Sequence, residues 1–112
     1  MIVAVDYGDS WCGVAVSEGE IPEPYGVVKT KNVVSELKKL NPKVVVVGVS
    51  EGKSAEKAKK FAKSLEDMLL WKVETVDETL TTVEAQNLSK DKKDQHAIAA
   101  ALILERYLEN HV

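Results

Sequence analysis

The sequence carries a single cysteine, Cys12, so no disulfide can close within the chain. Its setting in Trp11-Cys12-Gly13-Val14-Ala15-Val16 marks it as a small buried hydrophobe, and a reducing compartment, the cytoplasm, is expected. A basic excess is also lacking: Lys and Arg number 15 against 18 Asp and Glu, for a formal net charge of −3. That excludes a domain that grips nucleic acid by bulk positive charge, and leaves only local contacts. No apolar run approaches the roughly 20 residues of a spanning helix, and no basic flank leads into an apolar stretch ending in small residues. The expectation is a protein neither exported nor placed in a membrane.

Linkers and internal repeats are absent as well, so residues 1–112 are read as one domain, too short for two lobes that close on a ligand. Apolar residues at 45% and charged residues at 29% are the balance of an ordinary globular fold.

Residues 2–5 and 12–17 are short apolar runs separated by a polar turn, which reads as a hairpin. A third extended stretch, residues 25–30, follows Ile21-Pro22-Glu23-Pro24, whose prolines disfavour helix. Val33, Val34, Leu37 and Leu40 then fall at helical spacing, with Asn32 placed to cap and Asn41-Pro42 to stop the run. Residues 44–49 are continuously apolar and β-branched, as in a strand covered on both faces in the middle of a sheet.

Ala58, Phe61, Ala62, Leu65 and Leu69 share one face of a long helix, and Lys53, Lys57, Lys60 and Lys63 occupy its other positions. Residues 71–76 form another strand, Thr81-Thr82-Val83-Glu84 matches a capping box, and a last helix runs over about 94–110. The order predicts an α/β fold: a mixed five-stranded sheet, three antiparallel N-terminal strands then two parallel ones, flanked by helices. An all-parallel sheet fits less well, because residues 12–17 follow Asp6 too closely for a crossover helix.

Asp6 is the charged residue that calls for a reason, at the end of an apolar strand and beside Gly8, which allows close approach. It is a candidate metal ligand, or else it only supports the turn. Asp77-Glu78 also follow a strand; adjacent residues point to opposite faces, and Glu78, with the longer reach, is the candidate, against a plain solvated turn. Asp94 and His96 begin the last helix, as ligands or as ordinary helix-start residues. Oxygen donors converging from separate segments suit Mg²⁺ or Mn²⁺, and His tolerates Mn²⁺ better. Two such ions about 4 Å apart would activate a water and stabilise the leaving oxygen of an in-line phosphodiester displacement. Lys90, Lys92 and Lys93 offer local phosphate contacts, although most surface lysines serve no such role.

Together, Asp6-Tyr7-Gly8, Gly13-Val14-Ala15-Val16-Ser17, Asp77-Glu78-Thr79-Leu80-Thr81-Thr82-Val83-Glu84-Ala85 and the helix over 99–108 resemble the YqgF/RuvX family, the Holliday junction resolvase-like proteins regarded as nucleases of ribosomal RNA maturation. The resemblance spans nearly the whole chain. It implies a ribonuclease H-like fold, a divalent-metal phosphodiesterase mechanism, and action on the 5′ end of the small-subunit ribosomal RNA precursor. By position it makes Asp6 the first-strand acid and Glu78 the acid after the later strand. His96 stands where the family has an Asp, and Asp94 lies two residues earlier, so either or both complete the set. Further departures are Thr79 for an Arg, Ser10-Trp11 for a basic pair, and Ser50 with a shortened loop after Gly48.

The leading expectation is therefore an RNA endonuclease in which Asp6, Glu78 and one or both of Asp94 and His96 hold Mg²⁺ or Mn²⁺. The alternatives are a DNA junction resolvase acting on branched DNA, and a binding module of the same fold that has lost catalysis. Symmetric junction cutting needs a dimer, and the chain is expected to be a monomer or weak homodimer. An Asp-x-Gly turn also opens phosphate-binding ATPase lobes, but those come in pairs.

Overall fold

Five apolar segments pair edge to edge: β1 (Ile2–Asp6), β2 (Trp11–Ser17), β3 (Glu23–Lys29), β4 (Val44–Val49) and β5 (Lys72–Asp77). The structure, a computed structural model, describes residues 1–49, 53–68, 71–77 and 92–110. The spatial order is β3-β2-β1-β4-β5, with β2 antiparallel to β1 and β3, and β4 parallel to β1 and β5. This is the mixed sheet expected from the sequence. β1 is its central strand, with the valine run of β4 next to it.

The period of two along each strand sorts the core into two faces. Val3, Val5, Cys12, Val14, Val45 and Val47 point to one side, where Val33 and Leu37 of α1 (Val33–Leu40) and Ala58, Ala62 and Leu65 of α2 (Lys53–Asp67) cover them. Ala4, Ala15 and Val46 point to the other side, beneath Ala100, Ile103, Leu104 and Tyr107 of α3 (Lys92–Asn110). Apart from Asp6 at the end of β1, the interior strands β1 and β4 are apolar on both faces because both sides are covered. Side chains on the α3 side of the sheet are small, so that helix sits close.

Gly13 shows how close. A methyl group at Gly13 would fall onto the backbone carbonyl of His96, and α3 approaches β2 there with no side chain between the two backbones. Position 13 therefore has to be glycine for α3 to keep this seat.

Two details differ from the expectation. Strand β3 begins at Glu23 and contains Pro24, which the sequence reading assigned to a connection. The missing N–H of Pro24 is tolerated because β3 is an edge strand of the described sheet and the register shifts between Val14 and Ala15, with Tyr25 as the extra residue. Asn32, expected to cap α1, occupies the N-cap position without any side-chain capping bond. The chain enters α1 through a 3₁₀ turn, Thr30–Asn32, so Asn32 already has φ −107 and ψ −3 rather than the extended backbone from which a cap side chain reaches forward. The stop is as expected: Asn41 takes a left-handed conformation with φ 50, its N–H donates to the Leu37 carbonyl, and Pro42 follows. The capping box at 81–84 and Leu69 lie outside the described residues.

Gly13→Ala should destabilise the fold by about 1–3 kcal/mol, the range for forcing extra volume into a packed contact. Urea denaturation followed by circular dichroism measures this, and an unchanged midpoint would contradict the close seating of α3.

Candidate active site

Asp6 ends β1 with its register partners Gly13 on β2 and Gly48 on β4, so glycine flanks it on both sides in the sheet. By strand alternation it shares a face with Ala4, the face that α3 covers. Apart from Ser17, it is the one buried polar or charged residue among the described residues, at 7% exposure. Ser17 is accounted for locally: its hydroxyl donates to the Gly19 carbonyl at 2.6 Å.

The partner of Asp6 comes from the start of α3. His96 Nδ1 lies 2.9 Å from Asp6 Oδ2. The imidazole is more open than the carboxylate, with side-chain exposures of 39% and 10%. The bond to Asp6 holds the His96 pKa above the usual imidazole value; burial opposes this to a smaller extent, and the charge of Asp6 adds to the rise. With Nδ1 held by the carboxylate, Nε2 is the ring atom left to accept or deliver a proton.

The turn after Asp6 is fixed from two directions. Thr30 Oγ1 donates to the Gly8 carbonyl at 2.6 Å, and the Thr30 N–H donates to the Ser10 carbonyl at 3.0 Å. On the other side Tyr7 stacks on Phe61 of α2, with centroids 4.8 Å apart, and Lys57 bonds both carboxylate oxygens of Asp9 at 3.1 Å. That ion pair is exposed and contributes little stability, but it joins the turn to α2. Cys12, fully buried, lies 3.4 Å from Thr30 Oγ1. Burial raises its thiol pKa, which keeps it protonated and unreactive, in line with the sequence reading.

Of the expected site residues, Asp6 and His96 meet. Lys92, Lys93 and Asp94 lie in the first turn of α3. Glu78 and Lys90 are outside the described residues. Among the described residues no third His, Cys, Asp or Glu joins Asp6 and His96 in a cluster fit for a metal ion. Asp77, the residue before Glu78, ends β5 opposite Val49, at the same end of the sheet as Asp6. Sequence reasoning did not anticipate Thr30 or Phe61 as supports of the turn, since neither carries a local signal for it.

Comparison with known proteins agrees with this architecture. The family model described as RuvX, Holliday junction resolvase, matches residues 1–110. A protein of Thermotoga maritima named "Putative pre-16S rRNA nuclease" is 37% identical over 98% of this chain, which spans about half of that protein's length (50%). Proteins of the same name from Pediococcus pentosaceus and Hahella chejuensis are 30% and 29% identical over 98% of the chain, which covers 93% and 84% of their lengths. Among solved structures, the fowlpox virus resolvase in complex with Holliday junction DNA superposes with a TM-score of 0.67 at 17% identity, covering 99% of this chain and 98% of that one. RuvC of Thermus thermophilus in complex with a Holliday junction gives 0.61 at 14% identity, covering 99% and 96%. At these identities the likeness establishes the fold, which is ribonuclease H-like.

In the metal-free protein, NMR titration should find His96 above the ordinary imidazole pKa of about 6.5 and Asp6→Asn should lower it, with His111→Gln assigning the resonance. A raised folded-state pKa means that the Asp6–His96 pair stabilises fully below about pH 6.5 and that this contribution is lost as pH rises through the folded value. A wild-type His96 that titrates no higher than in Asp6→Asn would contradict the bond.

Proposed function

The chain belongs to the RuvX family, and from that premise we propose that it is a divalent-metal-dependent endonuclease that hydrolyses RNA phosphodiester bonds at the 5′ end of pre-16S rRNA. The observation that carries the reading is the buried Asp6 carboxylate at the central strand end, bonded to an imidazole from the first turns of α3. A carboxylate is removed from water at this position only if something cationic answers it, and His96 does so in part.

The donor set fits a hard cation. Asp6 supplies carboxylate oxygen, and the His96 imidazole suits Mn²⁺ better than Mg²⁺. Glu78, directly after β5 in sequence, and Asp94, two residues before His96, are the further ligands in this reading. When bound, such ions supply an activated water and charge stabilisation at the departing oxygen.

The chain's own residues do the positioning. The Gly8 carbonyl held by Thr30, and Tyr7 stacked on Phe61, fix the turn that follows Asp6, so the carboxylate reaches the reaction already oriented. His96 is held by Asp6 at Nδ1, which leaves Nε2 as the nitrogen that would be offered to the metal. Lys90, Lys92 and Lys93, preceding Asp94, are the phosphate contacts of this reading, and on a chain of net charge −3 such contacts have to be local.

Incubation with precursor ribosomal RNA and, separately, with a four-way DNA junction, in Mn²⁺ or Mg²⁺, tests the proposal. The RNA should be cut, and Asp6→Asn should slow cleavage by a factor of at least about 100, the scale of losing one preorganised charge contact to the transition state. Cutting of the junction alone would transfer the activity to DNA. Cleavage of neither, or equal cleavage by Asp6→Asn, would leave a binding module.

A further inference from the structure

An open groove of about 320 Å³ lies between the turn after β1 and the end of β3, lined by Asp9, Ser10, Trp11, Lys29, Thr30 and Lys31. It adjoins the Asp6 site by strand register. Asp6 pairs with Gly13, and Trp11 is two residues further along β2 on the same face, about 7 Å of strand away. Lys29 is the register partner of Trp11 on the edge strand, and its ammonium lies 5.8 Å from the centre of the Trp11 ring. A half-buried indole and a cation over its ring thus line the sheet face that runs outward from Asp6, and a second lysine, Lys31 of the 3₁₀ turn, adds to the groove wall.

We propose that this groove is a nucleotide subsite in which an unpaired base stacks on Trp11 while Lys29 and Lys31 hold the adjoining phosphates. The inference rests on the nucleic-acid reading above and narrows it to a substrate that is single-stranded beside the cut. Lysine flanking an aromatic ring is the combination by which single-strand binders take a base on the ring and the backbone on the charges. A duplex does not meet the requirement, because its bases keep their faces stacked on one another and show only edges.

The other groove residues fit this use. Asp9 would repel phosphate, but both its oxygens are engaged by Lys57 at 3.1 Å, which offsets its charge. The Thr30 hydroxyl is committed to the Gly8 carbonyl, so the turn that carries Asp6 and the wall of the groove are one rigid piece. A base on Trp11 would thereby be placed at a fixed distance from the carboxylate.

Trp11 is its own reporter. The second tryptophan, Trp71, is buried at 9% exposure, so a Trp71→Phe protein leaves Trp11 as the sole tryptophan, excited selectively over the three tyrosines at the red edge of the absorption band. The probes are a uridine decamer and an abasic decamer of the same backbone, with EDTA present so that neither is cut. The uridine strand should quench Trp11 fluorescence. Trp11→Ala should weaken its binding roughly 5- to 150-fold, the range for loss of one stacked base, while Trp11→Phe retains most of the affinity. Binding of the abasic strand should change by less than about twofold in Trp11→Ala. Lys29→Ala should weaken both strands alike and lower the salt slope by about one.

Absence of quenching, or an equal effect of Trp11→Ala on both strands, overturns the stacking subsite. If precursor RNA is still cut in an Asp6-dependent way, the nuclease reading stands without it. Selective, Trp11-dependent binding of the uridine strand by a protein that cuts nothing keeps the subsite and removes the nuclease.

Discussion

The seat of the last helix on Gly13 is the constraint from which the site follows. Because no side chain intervenes there, the backbone of α3 at His96 comes down onto β2, and the residue paired with Gly13 across the sheet is Asp6. The helix start is thereby delivered to the end of the central strand, and the His96 ring meets the Asp6 carboxylate at hydrogen-bond distance. The far half of the same helix is tied down differently. Tyr107 donates to Glu74 of β5, and this bond pushes the Tyr107 pKa up to about 12, so the phenol remains a donor over the whole physiological range. A helix fixed at both ends cannot slide, and the Asp6–His96 geometry depends on its not sliding.

The two faces of the sheet divide the labour. On the face covered by α1 and α2, mainly valines and leucines fill the space, and among the described residues no charge is buried there. On the α3 face small residues bring the helix near, and the same face carries Asp6, beneath the start of the helix, and then Trp11 and Lys29. The surface proposed to take a nucleic-acid strand is therefore continuous with the core that fixes it. The net charge of −3 describes the whole chain and says little about a local field in which Lys29 and Lys31 share a groove with an already paired Asp9.

Much of the architecture was legible because its signals are local. The unbroken valines of β4 and the helical spacing of Val33, Val34, Leu37 and Leu40 need no partner to be read, and both elements occupy the expected residues. Pro24 and Asn32 were misread for the opposite reason. Whether a proline interrupts a strand depends on which strand is at the edge, and whether an asparagine caps depends on the backbone that enters the helix. Asp6 stood out as a charge at the end of an apolar strand, and His96 as a polar residue at the start of the last helix, which the family resemblance then set at the third acidic position. The supports of the turn, Thr30, Phe61 and Lys57, gave no sign in the sequence, since their partners are more than twenty residues away.

By itself the sequence determined the order and type of the described elements, the antiparallel-then-parallel sheet, and the short set of three acids and one imidazole from which a site could be drawn. Those properties follow from side-chain periodicity and chain length between strands, which are readable along one dimension. Only the tertiary structure decided that Asp6 answers His96, that Gly13 is the contact making this possible, and that Trp11 and Lys29 share the face on which Asp6 lies. These depend on strand register and on the depth at which a helix settles, which are set by the packing of residues up to ninety positions apart.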